Sequence, residues 1–560
     1  MRRFVLTHRL TLLTAVAAGV VLVLVGRQTP ADVDEGFYAV AAELVARGRL
    51  PYRDYFYPQA PYLPFLLAPF AAVASRFVAE RALFALLGAA TAGLVAHGVK
   101  RDTGSPLAAV TAAGLFTLNE LTWQWFPSIR PYAPAGLCLV GATLLATSPG
   151  RPSLARAALA GALAGLVGGL RLLLLPVVGA IVGAIWLRGA RFAFVRAVAV
   201  AALLRVTLWA PDHRQLTTAY WTVPLALLIV AAGRGWWERA RRGAAATVGA
   251  LAALVPLALL YRMAPQGFLF GNLAFHANRV NVVWPVDQVP WWAQRATYIH
   301  SLYGLVSMNH LSAFAPEGVA LALLAGFAAF ARPARQTVAP LLAAAAVVLA
   351  ALVPFPVIEH YFTPAVPLIA LLAGLGLGHL DHALRGPLLP RLALPACLLG
   401  LHLVVGYPSF HRRWHEGVYG DFHLRAYRPR RLDHAAAQVR RVAALHPGPV
   451  LALWPGSALG LADRLLPGTE NHFARQAPVP PGDVALRDRL HIATADDVRD
   501  AVIAGVPSVV TDDREIEHLG PAGFRALLDR CGYRVVAETR GVLAVYARVA
   551  PREPRCARDR

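Results

Sequence analysis

LTLLTAVAAGVVLVLVG, residues 10–26, lies between Arg9 and Arg27 and carries no charge. Wound as an α-helix at about 1.5 Å per residue it is roughly 25 Å long, close to the ~30 Å hydrocarbon core of a bilayer. Runs of the same kind recur near residues 80–99, 105–121, 131–148, 155–170, 172–187, 192–209, 218–233, 244–262, 315–331, 337–354, 362–379 and 390–407. The chain of 560 residues is 57% hydrophobic and 15% charged, against about 25% charged in an ordinary soluble domain. So little charge could not keep so long a chain in water, and the apolar runs exclude disorder. Arg2, Arg3 and Arg9 resemble the start of a signal peptide. No small-residue cleavage site follows, so the first run is read as a retained span.

The charges between the runs set a topology. Arg2, Arg3 and Arg9 precede the first span. Alternate loops then carry Lys100/Arg101, Arg151/Arg156, Arg188/Arg191/Arg196, Arg234/Arg239/Arg241/Arg242, Arg332/Arg335 and Arg385/Arg391. Short basic loops stay on the cytoplasmic side. The N-terminus is therefore expected inside and the C-terminus outside, in a multi-pass protein of the plasma (inner) membrane. The stretch 61–77 is apolar too, but a span there would invert every later loop, so it is expected to be re-entrant or interfacial. Before it, Phe37, Val40, Ala41, Leu44 and Val45 form one apolar helical stripe suited to the headgroup plane. The net charge of +22 comes from arginines scattered between spans, with Lys100 the only lysine. That is not the continuous basic face of a nucleic-acid binder.

Beyond residue 407 the composition changes. Segments 449–454, 508–511 and 533–537 read as strands, and 432–445, 495–504 and 521–531 as helices. The expected architecture is a polytopic α-helical membrane protein of about thirteen transmembrane helices with a structured first outer loop. Residues 1–407 make the membrane domain, and 408–560 a small extracytoplasmic C-terminal α/β domain. The latter has no phosphate-cradling glycine loop and no nucleophile elbow, so a capping or recognition role is expected of it. The cysteines have no metal-ligand spacing. Cys138 and Cys397 fall within spans, and whether Cys531 and Cys556 pair is left open.

Candidate chemistry gathers in the outer loops. The first holds Asp32, Asp34 and Glu35 at the end of a span, where carboxylates are costly and usually functional. The plainer reading makes Asp34 the N-cap of a helix beginning at Glu35. Tyr52, Arg53, Asp54 and Gln59 follow, with Arg53 and Asp54 able to pair with each other. Arg130 lies in the second outer loop and Arg171 at the outer end of a span, each able to snorkel or to hold an anion. Later outer segments add His276, Arg279, His360 and Tyr361. Carboxylates beside arginines at headgroup depth suit group transfer from a phosphate-bearing lipid. A carboxylate takes the proton of an incoming hydroxyl, while Arg130, with Arg171, Arg279, His360 and Tyr361, holds the phosphate.

Asp32-x-Asp34-Glu35-Gly36-x-Tyr38, Gly48, Pro51-Tyr52-Arg53-Asp54 and Gln59-x-Pro61 together resemble the first outer loop of family 39-like membrane glycosyltransferases. These have the C-type fold and include protein O-mannosyltransferases and lipid A aminoarabinose transferases. His360-Tyr361 followed by Pro364 and Pro367 resembles a pattern near the end of their membrane domain. The resemblance covers residues 1–407 and the tail only in outline. It implies catalysis by a first-loop acid, matched here by Asp34 and Glu35, with Asp34 as general base and Glu35 or Asp32 orienting it or the acceptor. It also implies a polyprenyl-phosphate-linked sugar as donor, and a substrate loop containing Tyr52, Arg53, Asp54, Gln59 and His276. Many relatives place a second acid where this chain has Arg130-Pro131-Tyr132. No cofactor is certain, and a divalent metal is left open. The acceptor is a hydroxyl on an envelope glycan, lipid or protein. A transporter or flippase of lipid-linked sugars, or a non-catalytic envelope scaffold, would need the same outer cations without the chemistry. A transporter should also place polar groups at mid-membrane, and few lie within the spans.

Overall fold

The structure is a computed structural model. It describes residues 2–73, 75–150, 153–188, 199–200, 202–203, 222, 225–226, 235–277, 336–351, 353–354, 359–383, 388–416, 427–480, 482–513, 523–549 and 556. Among them, Arg9–Gln28, Arg76–Thr103, Trp236–Met263 and His360–Ala383 are helices long and apolar enough to cross a membrane. Shorter apolar helices cover Pro106–Thr117, Tyr132–Thr147, Leu154–Leu170, Leu172–Trp186, Val338–Ala351 and Arg391–Val404. Most of the expected spans 192–209 and 218–233, and all of 315–331, lie outside the described residues. Helices in lipid gain little from apolar burial against one another and associate where small residues let backbones meet. Gly161 and Gly249 do this for Leu154–Leu170 and Trp236–Met263, since a Cβ on either would overlap a carbonyl oxygen of the other helix.

Helix α1 (Arg2–Gln28) leads into α2 (Val33–Ala46). Two expectations for α2 are corrected. Its N-cap is Asp32, not Asp34: the Asp32 carboxylate accepts from Asp34 N at 3.4 Å, and Glu35 Oε1 accepts from Asp32 N at 2.8 Å. Glu35 at the third helical position completes a capping box, which fixes the start two residues earlier than Asp34 capping would allow. Nor does α2 keep one wet face. Phe37, Val40 and Leu44 are buried, and so are Tyr38, Ala39, Ala42 and Glu43 on the other sides.

Among its described residues the stretch 61–77 holds no helix long enough to cross a membrane before Arg76. It forms a short helix, Tyr62–Leu67, and a 3-10 turn, Ala68–Phe70, that leave Phe65, Leu66 and Val73 exposed. Helix α3 (Arg76–Thr103) follows, and its N-cap Ser75 makes no side-chain cap. Asp433 does that instead, accepting from Phe77 N at 2.9 Å and Val78 N at 3.3 Å. Asp433 belongs to α4 (Pro429–Leu445), which opens a C-terminal unit built on a sheet of order β1-β2-β4-β3. The strands are β1 (Val450–Ala452), β2 (Val509–Asp512), β3 (Tyr533–Thr539) and β4 (Leu543–Arg548), with β1 and β2 parallel and the rest antiparallel. The sequence reading missed β4, which returns through a hairpin at Gly541 (φ 70°). Cys531 and Cys556 form a disulfide beside the core of this unit.

This unit covers the face of α2 that was expected to be wet. Glu43 accepts from Gly460 N at 2.7 Å and Ala462 N at 3.1 Å, while Arg76 reaches its other side at 3.2 Å. Trp454 stacks on Phe77 with ring centroids 5.8 Å apart.

Asp513 is buried at the end of β2. It faces Trp454 N and the Tyr427 hydroxyl, each at 3.3 Å. The hydroxyl has one proton and a shorter bond to Val542 O, at 2.9 Å. A protonated Asp513 can donate to the hydroxyl oxygen, whereas an ionised one competes for its proton. Burial first, and Asp512 next, push the Asp513 carboxyl from 3.8 up to about 8. Burial likewise raises Asp433 to about 6 and Glu470 to about 7. An acid whose pKa is raised on folding destabilises as pH climbs from its unfolded value through its folded one. Stability of the detergent-purified protein should therefore fall between pH 4 and pH 8. Asp513→Asn, which mimics the neutral form, should match the wild type near pH 4 and exceed it by at least about 1 kcal/mol at pH 8. Thermal unfolding at the two pH values checks this; equal differences at both would refute it.

Candidate functional site

The capping box does more than start a helix. Glu35 is fully buried and engaged on both oxygens: Arg81 donates to Oε2 at 2.8 Å and to Oε1 at 2.5 Å, and Ile129 N donates to Oε2 at 3.0 Å. Arg81 spends its remaining donors on Gly26 O, Thr29 O and Pro30 O at 2.8–2.9 Å. The pair thus joins the end of α1, the start of α2, α3 and the loop after Trp125. Neither member is left open to substrate.

Ile129 brings its neighbour Arg130 to the acids. The Arg130 guanidinium pairs with Asp32 and, at 2.8 Å, with Asp34, beneath the Trp125 ring at 4.7 Å. It is 3% exposed, so it neither snorkels nor stands open to an anion. Two carboxylates against one guanidinium leave a net negative charge. Asp34 is the more open of the two aspartates, its side chain 15% exposed against 1% for Asp32. Among the described residues no group of three acids, histidines or cysteines is placed to hold a metal.

One turn along α2, Tyr38 is buried among Asp34, Arg171, Tyr132 and Tyr361. Burial, then Asp34, raise its phenol well above 10, so it stays protonated. Arg171 ends the helix Leu154–Leu170. It donates to the Tyr132 hydroxyl and lies over the rings of Tyr132 at 5.2 Å and Tyr361 at 4.6 Å. No carboxylate among the described residues pairs with it. His360 is buried edge-on to Trp125 at 4.8 Å and Tyr361 at 4.7 Å. Three buried polar atoms here have no hydrogen-bond partner among the described residues: Asp32 Oδ1, Arg130 Nε and the Tyr57 hydroxyl.

Asp32, Asp34, Arg130, Arg171, His360 and Tyr361 thus belong to one cluster, while Arg279 lies outside the described residues. The expected substrate loop mostly holds itself together. Arg53 pairs with Asp54 at 2.8–2.9 Å, Asp54 also accepts from Leu50 N at 2.7 Å, Tyr52 donates to Gln59 O, and His276 meets Pro58 O at 2.7 Å. Tyr52 sits at φ 68°, an uncommon value for a side-chain-bearing residue, within this closed loop. Sequence reasoning quoted Tyr38 and Tyr132 within motifs without giving them a role, and singled out none of Tyr57, Arg81 and Trp125. Two signals were available: Tyr38 falls four residues after Asp34, on the same helix face, and Arg81 is a charge near the start of an apolar span.

No protein-family model matches this chain, and no curated protein matches it. Its fold is matched by two crystal structures of ArnT from Cupriavidus metallidurans. One is bound to undecaprenyl phosphate, with TM-score 0.52 and 14% identity over 96% of this chain and 98% of that one. The other, in the apo state, gives TM-score 0.54 and 14% identity over 96% and 97%. At that identity the likeness establishes the fold alone: the chain has an ArnT-like polytopic membrane fold.

Proposed function

We propose that this protein moves a sugar from a polyprenyl-phosphate donor to a hydroxyl acceptor at the outer face of the plasma (inner) membrane. The observation that carries the reading is the pairing of Asp34 with a buried Arg130 at the first turn of α2, beside the Arg171–Tyr132–Tyr361 cage. The fold of an undecaprenyl-phosphate-bound ArnT supports the donor class. The alternation of basic loops supports an inside N-terminus and an outside C-terminus.

In this mechanism Asp34 accepts the proton of the acceptor hydroxyl. The hydroxyl oxygen forms a bond to the anomeric carbon as the bond from that carbon to the phosphate oxygen breaks. Polyprenyl phosphate leaves with the electron pair, and its added negative charge is stabilised by Arg171. Arg130 aims Asp34, and Asp32 holds Arg130 in place. The phosphate role expected first of Arg130 thus passes to Arg171, because Arg130 is already neutralised by two carboxylates. A flippase has no need of a proton acceptor held this way. The acceptor is left at its chemical class, a hydroxyl on an envelope glycan, lipid or protein.

Asp34→Asn should lower turnover by about 10²–10⁴-fold and leave undecaprenyl-phosphate binding intact, since Asp32 provides the cap. Near-normal turnover in folded Asp34→Asn protein would remove Asp34 from the chemistry. The two arginines should separate by assay. Arg171→Ala should weaken lipid-phosphate binding by about 10–100-fold, the worth of a charged hydrogen bond. Arg130→Lys should leave that binding within a few-fold of wild type while lowering turnover and thermal stability. Binding lost in Arg130→Lys but kept in Arg171→Ala would return the phosphate to Arg130.

A further inference from the structure

The segment carrying Asp32 is held from both sides by the C-terminal unit. Ala31 N donates to Tyr427 O at 2.8 Å, and Trp454 Nε1 donates to Val33 O at 2.7 Å. These two bonds flank Asp32 and stop one residue short of Asp34. Asp513 ties the two gripping residues to each other, facing Trp454 N and the Tyr427 hydroxyl at 3.3 Å. The contact is close because two glycines permit it. A Cβ on Gly36 would stand 2.6 Å from the Trp454 ring and 2.8 Å from Gly456 N. Trp454 also packs on Phe77 at the start of α3, the helix that supplies Arg81.

A tryptophan in a core needs its ring buried, and Phe77 would satisfy that alone. The indole N–H is aimed at one carbonyl in the turn that carries both aspartates. We propose that Trp454 is a positioning residue for the transfer reaction: its bond to Val33 sets the rotation and height of the Asp32–Asp34 turn. The C-terminal unit is then part of the reaction centre rather than a separate recognition module. This rests on the transferase reading above. It adds that the acids reach working geometry only while this unit is seated.

Trp454→Phe keeps a ring against Phe77 and removes the N–H. With purified full-length protein, kcat should fall about tenfold or more, in keeping with the sensitivity of positioned groups to displacements of about an ångström. The KM for the lipid-linked donor and the binding of undecaprenyl phosphate should stay within about twofold of wild type. A packing role alone would lower the melting temperature and leave kcat unchanged, and that result overturns the proposal. If Trp454→Phe does not fold, Ala31→Pro, which removes the other bond and keeps the indole, is read in the same way. Amide exchange on the unmodified protein needs no variant. The peptide covering residues 29–36 should be protected, and rapid exchange there would also overturn the proposal. Asp34→Asn runs alongside. If it stays active the transferase reading fails, whereas an inactive Asp34→Asn with a wild-type Trp454→Phe rejects the positioning role alone.

Discussion

A charge buried in protein near hydrocarbon must be paired and hydrogen-bonded on every side, and the Glu35–Arg81 pair meets that demand. Both carboxylate oxygens and the Arg81 guanidinium are engaged with four pieces of chain at once. Such a pair adds little net stability, but breaking it by removing one partner typically costs about 3–5 kcal/mol. Its effect is to fix geometry. Once Glu35 is tied to Arg81 and Ile129, Asp32 is fixed as the N-cap, Asp34 projects from the first turn, and Arg130 is delivered beside both.

A division of labour among charges follows. Arg81 has no freedom left and acts as a structural cation. Arg130 is spent on holding two aspartates that would otherwise repel each other. Arg171 stands against aromatic faces, with no carboxylate paired to it among the described residues. Three arginines with the same side chain are thus given different tasks by what surrounds them. Of the cage tyrosines Tyr132 is buried and Tyr361 half-buried, and both supply hydroxyl groups without adding charge.

Much of the membrane architecture was legible in the sequence, because the length of an apolar run is a local property. The acids of the first loop and His360-Tyr361 were legible for a similar reason, being short motifs. What escaped was long-range. Nothing local reveals that Arg130 finds the Asp32 carboxylate 98 residues earlier in the chain, or that Gly460 and Ala462 meet Glu43. The cap register at Asp32 rather than Asp34 turned on Glu35, a residue legible as an acid but not as the far half of a capping box. The apolar stripe of α2 was read correctly as apolar. Its supposed wet side was covered by a unit whose docking depends on Gly36 and Gly456, a contact visible only in three dimensions.

The central claim is that bond-breaking chemistry on a lipid-linked sugar takes place at Asp34 and its surroundings. The most direct measurement incubates the purified protein with a panel of polyprenyl-phosphate sugars and hydroxyl acceptors and follows free polyprenyl phosphate. The account predicts its release from at least one donor, in step with transfer of the sugar to an acceptor. Binding of the lipid-linked sugars without release, accompanied by their passage intact across the membrane of reconstituted vesicles, would contradict it.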